Sequence, residues 1–209
     1  MDVKIKVCGM KYASNINSVA VLQPDFMGFI FYPKSKRFVG LDFDRSDLSS
    51  LNPSINKVAV FVNAYLNEVT EFSNIYGIKF VQLHGDETPE FCSDLRKNNF
   101  KVIKAFGVDE EFDFSTLEAY QESVDYFLFD TKTPEHGGSG KTFNWQVLDK
   151  YQLDIPFFLS GGLSLANISE VQSIHHPQLF GVDLNSKFEE EPGVKNTELL
   201  AEAFKNIRS

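Results

Sequence analysis

Three groups of residues in this chain have types and spacing that suit chemistry. The first is a scatter of reactive side chains: the Cys8 thiol beside Gly9, Arg37 in "PKSKRFVG", His84 in "VQLHG", Asp130 at the end of "YFLFD" and Asp183 in "GVDLN". Thiol, carboxyl and imidazole groups can exchange protons with a substrate if the fold brings them into one cleft. The second group is "SGGL" (160–163) followed by "DLNSKFEEEPGVKN" (183–196). Gly161 and Gly162 let backbone N–H groups approach an anion closely. Asn185 and Ser186 stand where a short helix could offer its N-terminus to the same anion, and phosphate is the ligand this suggests. The third group is "DTKTPEHGGSGKTFNW" (130–145), which looks like a nucleotide-binding loop. That motif needs G-x-x-x-x-G-K-S/T. Counting back from Gly140-Lys141-Thr142 puts Glu135 where the first glycine must stand. A carboxylate there would face the phosphates, so the phosphate-loop reading fails.

Each candidate also has a structural reading. A free cysteine in an apolar run is often a small buried hydrophobe. Asp130 could cap a loop, Asp183 could belong to a turn, and the glycine and Asn-Ser segments could be two ordinary turns. Arg37 could be solvated charge among lysines, and His84 a satisfied structural histidine. His175 and His176, near the end of a helical stretch before Pro177, read as surface. One histidine and two scattered aspartates fall short of a catalytic metal's ligand set, so no metal site is expected.

Positioning these residues together requires a particular fold. Eight β-rich runs alternate with helix-length segments: 3–9, 27–32, 56–63, 79–85, 101–107, 126–131, 156–162 and 179–185. Most are continuous apolar runs, as expected for parallel strands covered on their outer face. Helical patterns fall at 66–77, 88–99 and 194–207. In the second of these, Thr88 suits an N-cap, Pro89 the first helical position and Asn98-Asn99 a stop. Regular strand–helix alternation implies right-handed crossovers, and eight units close a (β/α)8 TIM barrel, an α/β fold spanning 1–209 as a single domain. An open doubly wound sheet is the alternative, but "CGMKYAS" after the first strand lacks G-x-G-x-x-G. In a barrel, Cys8, Arg37, Asn63, Gln82, His84, Asp130, Ser160 to Gly162, Asp183, Asn185 and Ser186 all fall on the rim at the strands' C-terminal ends.

Composition narrows the partners. The net charge is -9 and no basic stripe is present, which argues against nucleic acid, where phosphate neutralisation supplies most of the affinity. No apolar run approaches the length of a membrane span. Two cysteines cannot form a disulfide framework, and "MDVKIKVCGM" is too short and charged for a signal peptide. A soluble protein of a reducing, cytoplasmic compartment is expected.

Several motifs in order, "KVCGM", "SKRFV", "VAVFVN", "VQLHG", "FDTKTPEHGGSGKTFNW", "FFLSGGL" and "GVDLNSKFEEEPGVKN", give the chain a resemblance to the phosphoribosylanthranilate isomerase family over essentially its whole length. The resemblance makes the glycine cluster at 137–140 part of the loop after strand 6. It implies a cofactor-free, metal-free aldose–ketose isomerase of tryptophan biosynthesis. The reaction would be the Amadori rearrangement of N-(5-phosphoribosyl)anthranilate, a small-molecule substrate, to the open-chain 1-deoxyribulose 5-phosphate derivative. Asp130 would be the general acid and Cys8 the general base. Arg37 would pair with the anthranilate carboxylate, Gly161, Gly162, Asn185 and Ser186 would hold the phosphate, and Asp183 would help orient the substrate. Those roles require the Cys8 pKa to be lowered from ~8.5 and that of Asp130 to be raised.

The chain departs from the family pattern in two places. Asn185-Ser186-Lys187 replaces Ser-Ser-Gly, and Asn144 stands where Asp is commoner. Two rivals remain: a metal-dependent epimerase, which would need more strand-end ligands, and a non-catalytic phosphosugar-binding barrel, which would have no use for Cys8, Arg37 and Asp130 together. A monomer and a homodimer both stay open.

Overall fold

The computed structural model describes residues 3–40, 42–132 and 143–209. The glycine cluster at 137–140 therefore lies outside the described residues. Eight parallel strands close a barrel in sequence order: β1 (Lys4–Cys8), β2 (Phe26–Ile30), β3 (Asn56–Phe61), β4 (Phe80–Leu83), β5 (Lys101–Val108), β6 (Tyr126–Thr131), β7 (Phe157–Leu159) and β8 (Leu179–Leu184). β8 pairs with β1 and completes the ring, with Lys6 opposite Asp183. The expected (β/α)8 barrel is the observed fold, and every strand falls where an apolar run stood. No helix among the described residues is long and apolar enough to cross a membrane.

The crossovers are less regular than the strands. Helices α1 (Ala13–Ala20), α2 (Ser46–Ser49), α3 (Leu66–Ile75) and α4 (Pro89–Lys97) follow the first four strands. After β5, β6 and β7 the described residues of the connections hold 3-10 turns, Phe114–Tyr120, Trp145–Lys150 and Ile168–Ser173. α4 has its expected cap: Phe91 N–H donates to Thr88 Oγ1 at 3.3 Å, Pro89 opens the helix, and Asn99 leaves it at φ +63.

Two expectations change. The last helix, α5 (Thr197–Arg208), does not begin at 194. Val194–Lys195 forms β10 and pairs antiparallel with β9 (Glu189–Glu191), and Gly193 at φ +93 makes the turn between them. Asn196 then caps α5, accepting from Leu199 N–H at 3.0 Å. His176 is not on the surface; it is buried against Tyr151 and Phe157, with Nε2 3.1 Å from the Tyr151 carbonyl and Nδ1 accepting from Gln178 N–H. Both ring nitrogens are satisfied, so its burial costs little. His175 is exposed, as expected.

Packing explains why the barrel is closed below and reactive above. The larger core lies between sheet and helices, while a smaller one fills the barrel. At the lower end of the interior Phe26, Phe80 and Phe158 meet edge-to-face at 5.3 Å. Period-2 alternation then carries Lys6, Gln82 and Asp183 inward one layer up, and Cys8 and Asp130 above them. A register shift along β7–β8 pairs Phe157 with Leu179 but Phe158 with Gly181. Phe180 is the extra residue, so Gly181 and then Asp183 take the inward positions.

Candidate active site

A cavity of about 470 Å³ opens at the C-terminal ends of the strands. It is lined by Cys8, Arg37, Asp130, Gly161, Gly162, Asp183, Asn185 and Ser186, so the structure gathers all eight sequence-derived candidates in one place. His84 and Gln82 line it too.

Cys8 ends β1 with its side chain inward and is 3% exposed. Gly28 on β2 makes its room, because a Cβ there would sit 2.7 Å from Cys8 Sγ. Burial pushes the thiol pKa up, against the pull of the Lys6 and Lys195 ammonium groups, while Asp183 adds to the rise. The expected lowering is therefore not what the site's own groups produce: desolvation penalises the thiolate more than the two cations favour it.

Sequence reasoning missed Lys6, two residues before Cys8 on the same inward face. It is fully buried, and its Nζ donates to Asp183 Oδ1 at 2.8 Å. Burial alone would lower its pKa, but Asp183 and Cys8 more than offset this, and the ammonium is held above its ordinary range. Asp183 thus does not reach the cavity as an isolated carboxylate; it is anchored by a buried cation. The signal was there in "VKIKVC", where a lysine falls on the face that also carries the thiol.

Asp130 ends the inward face of β6. Burial first, then the Asp183 carboxylate, pushes it up to about 6, although Thr131 N–H donates to its Oδ1 at 2.8 Å. This matches the expected direction, and roughly a tenth of such carboxyls carry a proton at pH 7. His84 Nε2 lies 3.6 Å from Asp130 Oδ2, and Gln82 Nε2 is 3.0 Å from His84 Nδ1. His84 is therefore a rim residue beside the carboxyl and not a core histidine.

Arg37 is not loose surface charge. Its Nε donates to both Glu189 oxygens, at 2.9 and 3.0 Å, and its Nη2 to Oε2 at 2.6 Å. Glu189 also accepts from Lys195 Nζ at 2.6 Å, and Lys195 donates to Asn185 Oδ1 at 2.7 Å. Burial pulls Lys195 down to about 8. Neither Glu189 nor Lys195 was singled out from sequence. Lys195 fell within a segment read as helix, and Glu189 sits in an acidic run that looks like solvated charge.

Gly161 and Gly162 take consecutive left-handed conformations, φ +88 and +63. Only glycine adopts these easily. A Cβ on Gly161 would collide with Thr131 and lie 2.8 Å from Asp130 Oδ1. Asn167 pins the turn from behind, donating to the Gly162 carbonyl at 3.2 Å and accepting from Ser164 N–H at 2.8 Å. The short helix expected after Asn185 is one 3-10 turn, Ser186–Phe188. Among the described residues no group of three or more His, Cys, Asp and Glu gathers as metal ligands.

A closed (β/α)8 barrel with a thiol, a carboxyl that burial pushes up to about 6 and a double-glycine turn on its C-terminal rim has the layout of a barrel enzyme. Comparison with known proteins names the family. The family model "N-(5'phosphoribosyl)anthranilate (PRA) isomerase" matches residues 5–206. The N-(5'-phosphoribosyl)anthranilate isomerase of Parabacteroides distasonis is 43% identical over 206 residues, covering 97% of this chain and 92% of that protein. The crystal structure of the Thermotoga maritima phosphoribosyl anthranilate isomerase superposes with a TM-score of 0.87 at 35% identity, covering 98% of each chain. Another phosphoribosyl anthranilate isomerase, solved in complex with reduced 1-(o-carboxyphenylamino)-1-deoxyribulose 5-phosphate, gives 0.83 at 30% identity, again over 98% of each chain. The chain belongs to the phosphoribosylanthranilate isomerase family.

Proposed function

We propose that this chain isomerises N-(5-phosphoribosyl)anthranilate to 1-(2-carboxyphenylamino)-1-deoxyribulose 5-phosphate, an Amadori rearrangement in tryptophan biosynthesis. The observation that carries the reading is the pairing, in one cavity, of a carboxyl raised to about 6 with a thiol flanked by a buried ammonium. Asp130 donates its proton to the ribose ring oxygen; the C1–O bond breaks and the anthranilate nitrogen's lone pair forms the iminium. Cys8, as thiolate, removes the proton from C2, and the C–H electrons form the enolamine, which tautomerises to the C2 ketone. C1 is reduced and C2 oxidised within one molecule, which makes the enzyme an aldose–ketose isomerase of the intramolecular oxidoreductase type. The iminium's charge beside Cys8 stabilises the thiolate against the cost of its burial.

Arg37 pairs with the anthranilate carboxylate, through the guanidinium edge that Glu189 leaves open. The turn at Gly161-Gly162 with Asn185 and Ser186 receives the phosphate. Asp183, held by Lys6, orients the ribose. All eight residues come from one chain, so a monomer and a homodimer would serve equally. We read the chain as one cytoplasmic domain, 1–209. The test is conversion of freshly made N-(5-phosphoribosyl)anthranilate by the purified chain in EDTA, with the product identified as the ketose. Turnover unaffected by EDTA supports the reading; a folded chain that leaves the substrate untouched overturns it.

A further inference from the structure

We infer that Glu189 is a positioning residue for Arg37 and, through Lys195, for Asn185, so that one buried Glu–Lys pair sets two residues of the substrate cavity; this rests on the reading of the site given above. The contacts form a chain. Arg37 is held side-on by Glu189 through Nε and Nη2. Glu189 Oε1 takes Lys195 Nζ at 2.6 Å, and the same ammonium donates to Asn185 Oδ1 at 2.7 Å. The two ends of the chain flank Gly9, where a Cβ would lie 2.6 Å from Arg37 Cδ and 2.9 Å from Asn185 Oδ1. Glu189 and Lys195 side chains are 4% and 0% exposed, so the pair is a fixed element of the rim.

Three features make this a positioning device. The β9–β10 hairpin that carries the pair is tied to α1, since Asn15 Nδ2 donates to the Lys195 carbonyl and Asn15 Oδ1 accepts from Lys195 N–H, both at 2.8 Å. Gly193 N–H donates to Glu189 Oε1 at 3.1 Å, which fixes the carboxylate from its own turn. An arginine has five N–H donors in a rigid fork, and Glu189 occupies only the Nε–Nη2 side. The Nη1–Nη2 edge, which Glu189 does not take, has the geometry for a second, bidentate carboxylate. The charge balance agrees: two cations and one anion leave one positive charge for an incoming anion.

The test uses two inhibitors that differ only in the anthranilate carboxylate: reduced carboxyphenylamino-deoxyribulose 5-phosphate and its phenylamino counterpart. Wild type should bind the first more tightly by at least ~10-fold, and Glu189→Gln should narrow that preference to under ~3-fold while weakening the second by a smaller factor, since Glu189 also holds Lys195. KM for the carboxylated substrate should rise more than kcat falls. Glu189→Asp, which keeps the charge but shortens the reach, should behave alike, and it takes over as the test if the Gln variant does not fold. Lys195→Met should instead weaken the phenylamino phosphate by ~5-fold or more, because Asn185 loses its pin. An unchanged preference in both Glu189 variants, equal weakening of both inhibitors, or failure of both variants to fold overturns the inference. A wild type that turns over substrate without preferring the carboxylated inhibitor also overturns it, while leaving the reaction standing. A wild type that turns nothing over removes the reaction itself, and the inference with it.

Discussion

Replacing Asp130 by Asn should make the chain more stable and far less active, and only above a definite pH. The folded carboxyl is raised from 3.8 to about 6 by burial and by Asp183. Its charged form is therefore disfavoured in the folded chain relative to the unfolded one. Two pKa units correspond to about 3 kcal/mol. The sign follows from proton uptake. Below about pH 4 both states are protonated and the carboxyl costs nothing. Between about pH 4 and 6 the folded chain binds more protons than the unfolded one, so stability falls as pH rises, and above pH 7 the loss is complete. Asn keeps an oxygen to accept from Thr131 N–H but carries no charge. At pH 8 the variant should gain up to about 3 kcal/mol, or roughly 6–12 °C in Tm for a chain of this size. At pH 4, where the unfolded carboxyl is only partly ionised, it should gain only about 0.5 kcal/mol. Thermal unfolding at both pH values reads the difference. Equal gains at the two pH values, or none at pH 8, would mean that the carboxyl ionises freely and that the argument from burial is wrong.

Other outcomes follow from the same contacts. Lys6→Met strands the buried Asp183 carboxylate and should cost about 3–5 kcal/mol, while Lys6→Met with Asp183→Asn should recover much of that stability but not the activity; urea unfolding of both checks it. Asp183→Asn removes the second cause of the raised Asp130 pKa, so the acidic limb of the kcat/KM profile should move to lower pH than in wild type, with substrate ionisations common to both. Gly161→Ala forces a Cβ into Thr131 at φ +88 and should raise KM by ~10-fold or more, with competitive inhibition by inorganic phosphate weakened in parallel.

The strands were legible because both their faces are buried, and a parallel strand covered on both sides shows as an unbroken apolar run such as "VAVF" or "YFLF". The rim followed from that count alone, and with it Cys8, Asp130 and the glycine turn. What stayed hidden depends on distance in sequence or on depth. Arg37 and Glu189 are 152 positions apart, so nothing local marks their pairing. Lys6 reads as one more charge in "VKIKVC" until the barrel turns it inward onto Asp183. The direction of the Cys8 shift is set by burial, which residue identity does not reveal. The start of α5 was misplaced because Val194–Lys195 has a neighbour, Glu189–Glu191, that recruits it into a hairpin before the helix pattern can apply.

The proton step at ribose C2 tests the central claim most directly. Substrate carrying deuterium at C2 would be given to wild type, Cys8→Ser and Cys8→Ala, each checked for folding. The assignment of Cys8 as base predicts a loss of at least ~10²-fold in Cys8→Ala. It also predicts slow turnover in Cys8→Ser with a primary isotope effect, because a weaker base makes C2 proton removal limiting. Near-normal turnover by Cys8→Ala, or a slowed Cys8→Ser reaction with no isotope effect, would place C2 proton removal on another group and contradict the account.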